Sequence, residues 1–411
     1  MARAPRGVRL HVGIFGRRNA GKSSLLNALT RQEVSIVSEL PGTTTDPVEK
    51  PMELQPLGPV HFIDTAGIDD EGALGDKRVE RTRQVLDRVD LALIVAAAGL
   101  WGGFEAGLAA EMRERGVPTV AVFNKCDEKE PPAEVERELA EAGLTVVRTV
   151  ATTGRGLEQL REALIRLAPE EFIANPPLLR DLVPAGEVAV LVVPIDKEAP
   201  KGRLILPQVQ AIRDLLDGDA WCVVVKEHAL EAALARLSRP PALVVTDSQA
   251  FLKVAEVVPA ALPMTSFSIL FARAKGDLVE LARGAAAIGG LRGGSRVLIA
   301  ESCSHHAIDD DIGRVKLPRW LAQRAGAPLE FEHVQGHDFP HELSAYDLVV
   351  HCGACMTNRR EILSRIARCR GAGVPITNYG LAIAYSLGIF ERALAPFPAA
   401  LAATRSTAAR D

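Results

Sequence analysis

Gly16-Arg-Arg-Asn-Ala-Gly21-Lys22-Ser23 sets two glycines, a lysine and a hydroxyl in the pattern G-x4-G-K-S. That spacing suits a phosphate chain. The glycines let the backbone wrap so that successive N–H groups point inward, Lys22 would reach the outer phosphates, and the Ser23 hydroxyl would hold Mg²⁺. A helix opening at Ser23-Ser24 would turn its positive end toward the same phosphates. Gly16, Asn19, Ala20, Gly21, Lys22, Ser23 and Ser24 are therefore the expected phosphate loop. Downstream, Asp64-Thr-Ala-Gly67 closes an apolar run. Asp64 could hold the Mg²⁺ shell through water, and Gly67 would let the backbone approach the γ-phosphate.

Asn124-Lys125-Cys-Asp127 ends another apolar run. The Asp127 carboxylate can accept from N1 and N2 of guanine. Adenine lacks that donor pair, so a buried charge would be left unpaired with the wrong base and GTP would be selected over ATP. The Lys125 stem would cover the base, and the backbone N–H groups of Ala151 and Thr152 would close over guanine O6.

A second chemical set lies far along the chain. Cys303-Ser-His305 and, 45 residues later, His351-Cys352-Gly-Ala-Cys355 offer three thiols and two imidazoles. Cys-x-x-Cys lets two thiolates reach one centre from a single turn, with Gly353 expected to make room at a crowded backbone. Three readings follow: buried core residues, a structural zinc with Cys₃His ligation, or a 4Fe–4S cluster on three cysteines with an exchangeable fourth iron. Spacing alone does not divide zinc from iron–sulfur.

These residues need elements to hold them. Short apolar runs at Val8–Phe15, Val60–Ile63, Leu91–Ala97, Thr119–Phe123, Thr145–Thr149, Val188–Val193, Ala220–Val225, Leu243–Thr246, Arg296–Ala300, Leu329–His333 and Asp347–Val350 alternate with longer helical patterns. This predicts an α/β protein with parallel sheets covered on both faces and ligands beyond the strands' carboxyl ends. Proline-rich breaks at Ala174–Leu178 and Pro259–Ser266 suggest three domains: 1–173 for GTP binding, then two smaller parallel-sheet domains, 174–265 and 266–411. A helix is expected from about Asn358, and Asp309–Asp311 is placed to cap the helix after it. Cys126, Cys222 and Cys369 read as inert or packing residues. His306, His333, His337 and His341 read as second-sphere, surface or capping residues.

Composition narrows the partners. Over 411 residues the net charge is −4, and residues 276–411 hold 15 Lys/Arg against 14 Asp/Glu, so no basic field invites nucleic acid or an anionic membrane. The longest apolar run, Leu91–Trp101, is about half of a bilayer span. The amino terminus lacks an apolar signal segment, and six cysteines are too few for a disulfide scaffold of this size. A cytoplasmic protein is expected.

The four nucleotide motifs, over about 170 residues, resemble the bacterial GTPase class that includes Era and the tRNA-modification GTPases. Pro41-Gly-Thr-Thr-Thr-Asp46 resembles that class's first switch, with Thr44 matching its Mg²⁺-sensing threonine. Asn19 matches the asparagine that helps hold K⁺ in the K⁺-activated members. Two positions depart. Ile68 stands where Ras-type proteins carry a water-orienting glutamine, which implies slow unaided turnover, and Val150 stands where serine is usual. The Cys-x-His…His-Cys-x-x-Cys set is similar to the signature of the FeFe-hydrogenase maturation GTPases. So are its flanks Asp310–Trp320 and Cys352–Arg360, and so is Val193–Arg203. This resemblance spans nearly the whole chain. It implies a GTPase scaffold and homodimer whose 4Fe–4S cluster is ligated by Cys303, Cys352 and Cys355, with His305 and His351 near the fourth iron. It implies that a di-iron precursor is carried to apo FeFe-hydrogenase, with two radical-SAM maturases upstream. The middle segment would dimerise, with Leu204–Leu216 offering an apolar face. Without the resemblance, a tRNA- or translation-related GTPase with a structural zinc tail stands as the alternative.

Overall fold

The computed structural model describes residues 9–30, 48–54, 57–65, 84–97, 99–170, 177–194, 204–302 and 311–408. The chain divides into two compact units, Met1–Asn175 and Pro176–Asp411.

The first unit is a six-stranded sheet. Its strands are β1 (Leu10–Phe15), β2 (Val48–Leu54), β3 (Gly58–Asp64), β4 (Leu91–Ala97), β5 (Thr119–Asn124) and β6 (Thr145–Arg148), in the order β2-β3-β1-β4-β5-β6. All neighbours pair parallel except β2, which runs antiparallel to β3. The expected parallel sheet is present, with β2 added as an antiparallel edge. An antiparallel edge needs no crossover helix, and β2 alternates Glu49, Lys50 and Pro51 rather than running apolar, which hid it in the sequence. Every residue of β1 is buried because both faces are covered. Val12 and Ile14 face α1 (Lys22–Thr30), with Leu25, Leu26 and Leu29 against them. Phe15 points to the other face, toward Leu108 and Met112 of α2 (Gly103–Glu114).

The second unit carries two four-stranded sheets. One holds β7 (Val188–Val192), β8 (Trp221–Val225), β9 (Leu243–Thr246) and β10 (Met264–Ser266), in the order β10-β9-β7-β8. The other holds β11 (Arg296–Glu301), β12 (Glu330–Gln335), β13 (Leu348–His351) and β14 (Ile376–Asn378), in the order β12-β11-β13-β14. Pairing within both is parallel throughout. The break expected at Pro259–Ser266 runs into β10, and one apolar cluster continues through both sheets. Helix α3 (Phe267–Lys275) follows β10 directly, and the Ser266 hydroxyl caps it by accepting from the Ile269 N–H. Its residues are buried on several sides, Phe267, Ile269, Leu270, Phe271, Ala272 and Lys275 among them, so it is an inner helix of the unit.

Strand order sets where ligands gather. Chain order leaves β11 for β12 on one side and returns to β13 on the other. The carboxyl ends of β11 and β13 therefore flank a topological switch point, where open parallel sheets form their crevice. In the first sheet β1 holds the equivalent place between β3 and β4. Among the described residues, no helix is long and apolar enough to cross a membrane.

Candidate functional sites

Strand β1 ends at Phe15, and the loop after it requires its glycines. Gly16 has φ +147°, and a Cβ there would stand 2.2 Å from the Val95 carbonyl oxygen. Gly21 has φ +89°, and a Cβ there would stand 2.2 Å from Asn124 Nδ2. Between them Asn19 takes φ +61°, a left-handed conformation asparagine tolerates better than most residues. Ala20 is buried, and Ser23 and Ser24 are half-buried in the first turn of α1. Lys22 Nζ donates to the carbonyls of Gly16 at 2.8 Å and Arg17 at 2.9 Å, so the ammonium lies folded across the loop.

Ser23 Oγ donates to Asp64 Oδ2 at 2.7 Å, joining two residues 41 apart. Asp64 Oδ1 is buried and has no hydrogen-bond partner. Burial pushes the Asp64 carboxyl up, opposed by the Ser23 hydroxyl and by Lys22 and Lys50. A hydroxyl and a carboxylate side by side, with one oxygen left over, fit a hard divalent cation such as Mg²⁺. Lys50 of β2 is buried and donates to Asn27 Oδ1 at 2.5 Å; burial lowers its pKa, and Asp64 opposes the shift.

The base-recognition loop is tied to the phosphate loop by one side chain. Asn124 Nδ2 donates to the Ala20 carbonyl at 3.0 Å. Asn124 Oδ1 accepts from Ala151 N and from Thr149 Oγ1, each at 3.2 Å. Sequence reasoning placed Asn124 at the nucleotide; the geometry makes it the brace between loops that follow β1, β5 and β6. Lys125 takes φ +61°, and Asp127 and Thr152 are exposed while Ala151 is half-buried. Cys126 is buried with its thiol donating to the Phe123 carbonyl at 3.2 Å, and burial pushes that thiol up, in keeping with an inert residue.

In the second unit, Ser302 N–H at the end of β11 donates to Cys352 Sγ at 3.1 Å at the end of β13. The Cys352 thiol also reaches Ser302 Oγ at 3.3 Å, and Ser302 Oγ lies 2.9 Å from Thr357 Oγ1. Burial alone would push the Cys352 thiol up. Ser302 and the Ala354 N–H oppose that shift and favour the thiolate. The left-handed residue of the Cys-x-x-Cys turn is Ala354, φ +56°. The expectation that Gly353 relieves crowding is corrected. A Cβ there would meet only Ser268 Oγ at 3.9 Å, an ordinary contact, because Gly353 borders a small cavity beside helix α3.

His351 is engaged at both ring nitrogens. Nδ1 lies 2.9 Å from the Cys352 carbonyl, and Arg365 Nη1 lies 2.8 Å from Nε2. A guanidinium only donates, so Nε2 is the acceptor and Nδ1 carries the proton. Arg365 is held in turn by Glu361 Oε1 at 2.5 Å and the Gly336 carbonyl at 2.7 Å, and His337 Nδ1 meets the same Glu361 oxygen at 3.1 Å. In this arrangement His351 orients the turn rather than offering a lone pair to a metal.

Two further residues were missed. Lys275 ends helix α3, and its buried ammonium donates to the carbonyls of Ala354 and Thr357, each at 2.8 Å, and of Cys355 at 3.4 Å. Burial lowers it to about 8, against the pull of Cys355 and Cys352. Glu301, two residues before Cys303, is buried with Oε1 accepting from Tyr379 OH at 3.1 Å and Oε2 unpartnered. Glu301 was legible as a neighbour of the cysteine motif. Lys275 carried no signal, being 79 residues from Ala354 in the chain.

Thr44, Gly67, Cys303 and His305 lie outside the described residues. Among the described residues, no group of three or more His, Cys, Asp or Glu is arranged to hold a metal ion. The described part of the cysteine site still fits a thiolate-bound iron–sulfur group. N–H donors face the sulfur of Cys352, and Glu301, at the end of the neighbouring strand β11, keeps a buried Oε2 without a partner. The other singled-out residues have structural places. Asn358 caps the helix Arg359–Gly371. Asp311 caps the π-turn Ile312–Lys316 by accepting from the Arg314 N–H at 2.9 Å. His333 meets the Gly313 carbonyl. Cys369 is buried, which pushes its thiol up to about 12.

The chain matches known families in three stretches. Residues 11–125 match the 50S ribosome-binding GTPase model, residues 178–276 the hydrogen maturase F dimerization domain, and residues 279–396 the hydrogen maturase F tetramerization domain. It is 40% identical over 158 residues to the tRNA modification GTPase MnmE of Methylococcus capsulatus, covering 38% of this chain and 34% of that protein. The Burkholderia mallei MnmE is 41% identical over 165 residues, with coverages of 39% and 35%. The chain thus spans about a third of the length of the curated relatives it matches. Among solved structures, Aquifex aeolicus Era bound to GDP and aluminium fluoride is 29% identical, covering 39% of this chain and 56% of that one, with a TM-score of 0.35. With its two maturase-specific stretches together covering more than half of the sequence behind a GTPase domain, the chain belongs to the hydrogen maturase F family.

Proposed function

We propose that this chain is a GTP-hydrolysing scaffold that binds a 4Fe–4S cluster and carries a di-iron precursor to apo FeFe-hydrogenase. Cys303, Cys352 and Cys355 would hold the cluster, and His305 or the Glu301 carboxylate would stand near its exchangeable iron. The observation that carries this reading is the Ser302 N–H bond to Cys352 Sγ. It brings the residue next to Cys303 against Cys352 at a switch point, which supports a single centre served by both chain-distant motifs. When bound, the cluster would supply a labile iron site on which a precursor can dock.

In the first unit, GTP would lie along Gly16–Ser24 with its base against Lys125, Asp127, Ala151 and Thr152. Ser23, Asp64 and Thr44 would hold Mg²⁺, and Gly67 would approach the γ-phosphate. Asn19 would hold K⁺, standing in for the glutamine that Ile68 replaces, so turnover would be slow and K⁺-activated. GTP binding would order the switch loops and shift contacts with the two radical-SAM maturases or the hydrogenase. The chain would act in the cytoplasm as a homodimer, with no nucleic-acid or membrane partner. In domain terms, 1–173 would bind GTP, 174–265 would dimerise and 266–411 would hold the cluster. The dimerization-domain match and the apolar surface of β8, the edge strand of its sheet, support the dimer: Trp221 is 66% and Val224 43% exposed.

The test is anaerobic reconstitution with iron and sulfide, comparing wild type with the Cys303→Ala, Cys352→Ala, Cys355→Ala triple variant. About four irons per chain and a reduced-cluster EPR signal, both lost in the variant, are expected. One zinc and no EPR signal would overturn the scaffold reading and favour the structural-zinc alternative.

A further inference from the structure

The buried ammonium of Lys275 has an unusual set of neighbours. Its three hydrogen bonds all go to backbone carbonyls, two on the Cys352–Cys355 turn and one at Thr357 just beyond. Among the described residues no carboxylate pairs with it; Phe271 lies beneath it at 5.3 Å from ring centroid to Nζ. A buried cation needs an anion nearby. Cys352 and Cys355, which become anionic when they ligate a metal, sit on the turn it holds. The turn is thereby oriented. Its carbonyls point down to Lys275, while the Ser302 and Ala354 N–H groups face the sulfur of Cys352. A cavity of about 20 Å³ lies here, lined by Lys275, His351, Cys352 and Asn378. That is room for about one water, too little to rehydrate three carbonyls if the ammonium were removed.

We propose that Lys275 is the positioning residue and built-in countercharge of the cluster site. It pins the Cys-x-x-Cys turn from below, aims peptide N–H groups at sulfur, and offsets the negative charge that three thiolates and a reduced cluster bring. This rests on the cluster-binding reading above. Hydrogen bonds to sulfur and nearby positive charge both favour the more reduced state of an iron–sulfur cluster. Lys275 would therefore raise the cluster's reduction potential as well as its retention.

The experiment uses the full chain, reconstituted anaerobically as wild type, Lys275→Met and Lys275→Gln. Circular dichroism checks folding. Readouts are iron retained under chelator challenge and the midpoint potential from EPR-monitored titration. Lys275→Met is expected to retain roughly ten-fold less iron. Lys275→Gln keeps an N–H donor but loses the charge, so it should hold more iron than Lys275→Met while its potential moves to a more negative value. If Lys275→Met fails to fold, the potential of Lys275→Gln decides. Wild-type potentials and iron retention in the folded variants, or a positive shift, would overturn this proposal alone. A wild-type chain that takes up no cluster would overturn both it and the reading on which it rests.

Discussion

Ser302 and Cys352, 50 residues apart in sequence, are joined by a 3.1 Å bond from a backbone N–H to sulfur. The bond links the ends of two neighbouring parallel strands, and an N–H donor at sulfur favours the thiolate over the thiol.

The thiols of the second unit should therefore differ in reactivity. In the metal-free chain, alkylation of Cys352 should reach half its maximal rate below the ordinary thiol value. Cys369, pushed up to about 12, should stay unlabelled through neutral pH. Peptide mapping by mass spectrometry after timed iodoacetamide labelling measures both. A Cys352 midpoint at the ordinary thiol value would show that the surrounding N–H donors do not govern it.

Asn124 braces both nucleotide loops, so Asn124→Ala should unfasten them together. The buried Ala20 carbonyl and the Ala151 N–H would lose their partner, a loss of about 1–3 kcal/mol, or roughly ten- to hundred-fold in GTP affinity. Fluorescent-nucleotide titration reads the change. Unaltered affinity would mean that the loops hold their shape without the brace.

Mg²⁺ binding should depend on pH through Asp64. Its carboxyl is raised by burial, and only the carboxylate attracts the ion. Affinity for Mg²⁺ should fall as pH drops through a value above the usual 3.8, and remain full at higher pH. Asp64→Asn should bind the ion weakly and lose that dependence. Isothermal titration with Mg·GDP at several pH values separates the two.

Turnover should respond to the monovalent cation. Ile68 cannot orient water and Asn19 sits at the left-handed apex of the phosphate loop, so hydrolysis should rise when K⁺ replaces Na⁺. Equal rates of phosphate release in the two salts would remove the potassium ion from the site.

An exposed apolar strand edge invites pairing with another chain. Trp221→Asp with Val224→Asp on β8 should shift the chain from dimer to monomer in multi-angle light scattering, with GTP turnover by the first unit unchanged. A dimer that persists would place the contact elsewhere, with exposed Val209 and Leu216 of the helix Leu206–Asp217 the next face to test.

The residues of the nucleotide site, and the two cysteine motifs as a candidate site, were legible in the sequence because local motifs carry them. A glycine loop between a buried strand and a helix, an aspartate closing one strand and Asn-Lys-x-Asp closing another need only short-range spacing. The strand positions followed for the same reason: in a parallel sheet covered on both faces, burial writes itself as an apolar run. Where burial does not do so, the signal failed. Strand β2 is a polar edge, while β10 and β14 have three residues each, too short to show a period. Only the tertiary structure decided the rest, because those contacts join residues far apart in the chain. It made Asn124 a brace across 104 residues, set Arg365 against the His351 ring, and put Ala354 in the left-handed conformation in the cysteine turn. It also set Lys275 beneath that turn. A buried ammonium is tolerated only where the fold supplies acceptors, and no spacing in the sequence shows that groups about 80 residues apart converge there.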